Sequence, residues 1–79
     1  MDNNLPAGWR VTGEWVPEVY EVEFYYFVET WGTRDERKHW WTKKRPVTGW
    51  RKVHRERRKE LAEQWAFDTI RAMGATNAN

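Results

Sequence analysis

The chain has 79 residues, with 14 Lys and Arg against 12 Asp and Glu, seven tryptophans and no cysteine. That length makes one domain, 1–79, near the small end of what folds alone, so the aromatic rings must supply much of the core. Lack of cysteine excludes disulfide staples and thiolate metal sites and points to a cytoplasmic protein. There is no apolar run long enough to span a membrane, and the first residues lack the basic and apolar regions of a signal peptide.

Taken in chain order, residues 1–8 read as a loose lead-in. Trp9, Val11, Gly13 and Trp15 alternate with Arg10, Thr12 and Glu14, the period-two pattern of a first strand that Pro17 ends. The clearest strand is 18–30. Tyr20, Val22, Phe24, Tyr26 and Val28 make a continuous apolar even face, with Glu21, Glu23, Tyr25, Phe27 and Glu29 on the odd face. Trp31-Gly32-Thr33-Arg34-Asp35 carries turn chemistry, and a third strand is expected over 36–45 before Pro46. The antiparallel sheet would then span 9–46. In that hairpin Glu29 meets Arg37, Phe27 meets His39, Tyr25 meets Trp41, Glu23 meets Lys43 and Glu21 meets Arg45, so that every charged pair is of opposite sign.

Thr48 is a candidate helix cap, and a basic amphipathic helix is expected over 50–73. Leu61, Ala62, Trp65, Ala66, Thr69, Ile70 and Met73 fall on one stripe at helical spacing. Gly74 reads as its stop, and 74–79 as a frayed tail. The expected fold is therefore α+β: a three-stranded antiparallel β-meander followed by one C-terminal amphipathic α-helix packed on one sheet face, βββα.

Catalytic constellations are missing. The chain holds no serine and no cysteine, the usual acyl-transfer nucleophiles. His39 and His54 lack metal-ligand spacing with carboxylates, and His54-Arg55-Glu56 lacks the cysteine pair that a zinc deaminase motif needs. No glycine-rich phosphate loop occurs. The expectation is a non-enzymatic protein with no cofactor, no metal and no small-molecule substrate.

Charge is distributed unevenly. Residues 37–59 hold eleven of the 14 Lys and Arg of the chain and one acid, Glu56. Such a segment suits an acidic partner. At a helix entrance its cations would oppose the helix dipole, which favours anions there. Lys43, Lys44, Arg45, Arg51, Lys52, Arg55, Arg57, Arg58 and Lys59 are accordingly the candidate nucleic-acid-binding residues. If the even face packs under the helix, the odd face presents Tyr25, Phe27, His39 and Trp41 as an aromatic platform. The bland alternatives are a solvated basic face and an aromatic face folded away or buried in a homodimer.

Three strands followed by a helix with Arg57, Arg58 and Lys59 ahead of Ala62 and Ala66 resembles the second part of a double-stranded-RNA-binding domain. That resemblance implies cations at the helix start straddling phosphates. In composition the tryptophan-rich chain is similar to many small phage-encoded proteins that bind host machinery. Two functions follow as expectations. The first is a module engaging nucleic acid or a nucleoprotein through the basic segment. The second is a phage-type inhibitor or adaptor gripping an acidic protein surface with its aromatic hairpin; a homo-oligomeric structural subunit is a third possibility.

Overall fold

The structure, a computed structural model, describes residues 5–77 and the side chains of residues 5–74. Three strands and one helix follow in order: β1 (Trp9–Pro17), β2 (Val22–Glu36), β3 (Arg45–Glu56) and α1 (Lys59–Asn77). The sheet is an antiparallel meander with β2 in the centre, and α1 packs on one face, as the sequence pattern leads one to expect.

The period-two pattern of β2 decides which face is covered. Val28 is fully buried against Ala62 and Ala66 of α1, and Leu5, Trp9, Val11, Tyr26 and Trp65 close around them. The two alanines let the helix backbone come near the sheet. Trp65 reaches further and stacks on His54 of β3 at 4.2 Å, and His54 Nε2 donates to Glu56 Oε2 at 2.6 Å. Farther along the same face, Trp15, Phe24 and Tyr26 meet edge to face at 5.1 and 5.2 Å. Gly13 lies beneath that cluster, where a Cβ would stand 2.5 Å from Phe24 Cζ, so the ring occupies the space a side chain would need. Leu61 and Met73, the ends of the expected apolar stripe, are exposed.

Four expectations are corrected. The first concerns the turn. Residues 31–35 do not turn; β2 runs straight through them, and the connection to β3 is 37–44. Trp31 faces Trp50 with rings edge to face at 5.6 Å, Gly32 faces Gly49, and the hydroxyls of Thr33 and Thr48 share a 2.5 Å hydrogen bond. Successive like-with-like pairs outweigh the turn preference of one glycine, whose backbone here needs no positive φ.

The expected register consequently fails, because 36–45 is not the partner of 18–30. Glu29 lies opposite Lys52, Phe27 opposite Arg55 and Tyr26 opposite Glu56. A bulge between Val28 and Glu29 sets the unpaired Val53 aside and keeps the faces of β3 in phase with β2. Pro46, expected to end a strand, sits near the start of β3 opposite Asp35, where an edge strand tolerates a missing N–H.

The third correction is the helix start, which is Lys59 rather than residue 50. The long β2 presents backbone groups that need a partner, and 45–56 supplies them as a strand. Arg58 O accepts the hydrogen bond from Ala62 N at 3.1 Å, and Thr48 caps nothing. At the other end Gly74 lies within α1, which continues to Asn77.

Finally, residues 5–8 are not loose. Leu5 packs on the core, Trp31 N donates to Gly8 O at 2.9 Å, and Gly8 holds φ at 90° in the turn that delivers β1. Residues 1–4 of the expected lead-in and 78–79 of the expected tail lie outside the described residues.

Pairing with β1 stops at Thr30, opposite Trp9. Beyond that point β2 and β3 continue alone as a two-stranded arm ending in the 37–44 loop. The arm stretches the molecule to 47 × 42 × 19 Å with a radius of gyration of 15.4 Å, against ~12 Å for a compact chain of this length.

Candidate functional site

The arm tip is built by its own short-range bonds. Thr42 closes a turn on His39: Thr42 N and Oγ1 both donate to His39 O, at 3.0 and 2.8 Å, and His39 N donates to Thr42 Oγ1 at 3.1 Å. Arg37 Nη1 donates to Trp40 O at 2.7 Å and braces the turn from the β2 side. These bonds leave Trp40 and Trp41 at the two central turn positions, 80% and 64% exposed. His39 stacks flat on Trp41 at 4.5 Å, and Trp40 meets Trp41 nearly perpendicular at 5.5 Å. One face of Trp41 is therefore occupied, whereas Trp40 stands open to a partner.

Cations surround this turn. Residues 37–45 contain Arg37, Lys38, Lys43, Lys44 and Arg45 and no carboxylate. Glu36, opposite Arg45 in the ladder, is taken by Arg34 at 2.8 Å. Among the described residues Lys38, Lys43, Lys44 and Arg45 form no ion pair. The tip is thus an exposed, uncompensated cationic surface with aromatic rings at its centre.

The second half of the expected cationic set behaves differently. Lys52 Nζ lies 3.0 Å from Glu14 and 3.5 Å from Glu29, Arg57 2.8 Å from Glu23, and Arg55 4.0 Å from Glu18. Hydrogen bonding to Glu14 holds the Lys52 ammonium above its usual pKa. These three cations lie on or just beyond β3, directly beside the acidic strands, and are internally matched. Arg51, Arg58 and Lys59 form no ion pair among the described residues. Arg58 and Lys59 sit at the helix entrance, where Glu60 in the first turn offsets part of their charge against the dipole.

The expected aromatic platform also divides. Tyr25 and Phe27 do share the odd face, but Phe27 is only 9% exposed. Arg55 and Arg57 lie 4.3 and 5.0 Å over the Tyr25 ring, and Lys52 lies 5.1 Å over Phe27. These cation–π contacts roof the rings, so they are not open for stacking. His39 and Trp41 lie at the arm tip; Phe27 is nine strand positions from the end of β2, ~30 Å away.

Trp40 and Lys38 are the tip residues that sequence reasoning missed. Adjacent tryptophans flanked by cations on both sides were the available signal. In a strand the two rings of such a pair point to opposite faces; here the turn presents both together at the end of the arm. Elsewhere, the buried Glu29 joins all three strands: Arg10 Nε from β1 reaches Oε1 at 2.6 Å and Lys52 from β3 reaches Oε2.

Among the described residues there is no cluster of His, Cys, Asp and Glu able to hold a metal ion, and no helix is long and apolar enough to cross a membrane. The chain matches no known protein family, no curated protein and no solved structure. What stands is a small α+β module carrying basic residues and an exposed aromatic cluster.

Proposed function

We propose that this chain is a cytoplasmic, non-enzymatic module that binds nucleic acid, alone or within a nucleoprotein, through the tip of its β2–β3 arm. The observation carrying this reading is the acid-free 37–45 stretch, set at the end of an arm around a braced turn that exposes two tryptophans. Lys38, Lys43, Lys44 and Arg45 neutralise phosphates, and Trp40 offers a face on which a base stacks. A two-stranded β-ribbon also has the width that a major groove admits. The reading moves the contact from the expected helix entrance to the arm, because Lys52, Arg55 and Arg57 are matched by glutamates.

Fluorescence titration of the full chain with a single-stranded oligonucleotide and with a duplex, at low salt, tests it. Trp40→Ala is expected to weaken binding by a factor of roughly 5 to 150, the cost of one base–aromatic stack. No affinity for either form of DNA or RNA overturns the proposal.

A second reading is favoured by the exposed Trp40–Trp41 pair: an anchor for an acidic protein surface, as in an inhibitor or adaptor. Under it Trp40→Ala abolishes capture of that protein, and the chain shows no affinity for oligonucleotides.

A further inference from the structure

Between the tip and the body the arm has a groove. It encloses about 440 Å³ on the face of the arm that continues from the helix-covered side of the sheet. Gly32 and Gly49, directly opposite each other, form its floor. Thr30 and Arg51 form the cross-strand pair on the body side, and Arg34 and Val47 the pair on the tip side.

Neither glycine is demanded by the fold. Neither backbone has a positive φ, and a Cβ built at either position meets nothing within 4 Å. Gly13 provides the contrast, since there an aromatic ring fills the space. Glycine weakens a strand, and two facing each other in an exposed ribbon weaken it twice. A bare floor without an internal occupant is what a ligand that approaches the backbone closely requires.

The walls specify its charge. Arg51 forms no ion pair among the described residues, whereas Lys52, which also borders the groove, keeps its ammonium on Glu14 and Glu29. Arg34 holds Glu36, which also lines the groove, in an exposed pair that is worth little and that its guanidinium can leave for a phosphate at small cost. Guanidinium groups on both sides of the floor suit phosphate oxygens, which they bind in two-pronged fashion. The Gly32–Gly49 pair is four positions from Glu36 and Arg45, ~13 Å along the ribbon, so a strand leaving the tip reaches the groove without changing direction.

We infer that the Gly32–Gly49 groove is a second contact site, in which the sugar–phosphate backbone of the nucleic acid lies against bare main chain and is gripped by Arg51 and Arg34. This inference rests on the nucleic-acid reading of the tip and specifies the path of the bound strand.

Gly32→Val and Gly49→Val test it. Both put a β-branched side chain into open space on a strand, so the melting temperature should hold or rise. Affinity for a 15-nucleotide single strand should nevertheless fall at least tenfold. Arg51→Ala, on an exposed side chain, should lower affinity several-fold, and it carries the same test if a valine variant folds poorly. Wild-type affinity in the folded glycine variants, with affinity still lost in Trp40→Ala, overturns the groove and leaves the tip in place. Absence of binding by the wild-type chain overturns the reading of the tip and the groove with it. Binding of poly-glutamate that the valine substitutions weaken as much as oligonucleotide binding would reassign the groove to acidic peptide and overturn the phosphodiester assignment.

Discussion

Removing cations in pairs separates those that face solvent from those the fold already uses. Lys38, Lys43, Lys44 and Arg45 surround the tip without ion-pair partners among the described residues, whereas Arg55 and Arg57 lie 4.0 and 2.8 Å from Glu18 and Glu23. If each of the four tip cations neutralises one phosphate, together they contribute about −2.8 to the slope of log K against log salt for a single strand and about −3.6 for a duplex. Between 50 and 200 mM salt, that share alone lowers affinity by about 50-fold for the single strand and about 150-fold for the duplex. The double variant Lys43→Ala/Lys44→Ala should make the slope shallower by about 1.4 for the single strand and about 1.8 for the duplex. Arg55→Ala/Arg57→Ala should leave it unchanged, because those guanidinium groups are engaged with carboxylates and with the Tyr25 ring. Titrations at four or five salt concentrations for the three proteins provide the measurement. A slope that flattens equally in both double variants would refute the division of the cations into free and matched sets.

Two further predictions concern the body. Glu29 is 4% exposed and bonded from both neighbouring strands, so Arg10→Ala/Lys52→Ala leaves a buried carboxylate unpaired and should cost about 3–5 kcal/mol in urea unfolding. Either single variant should cost less than half of that, since one cation remains; strictly additive losses would show that Glu29 is not shared. Glu21 has its pKa raised, chiefly by the hydrogen bond and the charge of Glu23. A folded-state pKa above the unfolded value means that ionising Glu21 opposes folding. Glu21→Gln should therefore stabilise the protein at neutral pH, and the gain should vanish as pH falls below about 4, where the carboxyl is protonated in both states. A gain that persists at pH 2.5 would contradict the sign.

Much of the architecture is local information. Period-two alternation from Val22 to Val28 sets a strand with Tyr26 and Val28 on one face, and the spacing of Ala62, Trp65 and Ala66 sets a helix with one packing stripe. These patterns determine the central strand, the helix and the covered face of β2, because each depends on the geometry of a single element. The βββα order was expected as observed, but with its third strand in the wrong place. The sign of the match between an acidic first half and a basic second half was equally legible.

Register and turn position were not, for a physical reason. The glutamates of β2 find opposite charges in 37–45 and equally well in 51–57, so charge alone leaves two hairpins open. Tertiary pairing chooses between them: Trp31 on Trp50, Thr33 on Thr48, and Lys52 and Arg55 reaching across to Glu14 and Glu18. That choice extends β2 to Glu36, delays the helix to Lys59 and turns a supposed strand into a loop. It also decides which cations stay free. The sequence by itself determined that this protein carries a large, localised positive charge among aromatic rings; only the tertiary structure placed the uncompensated part of it at the end of an arm.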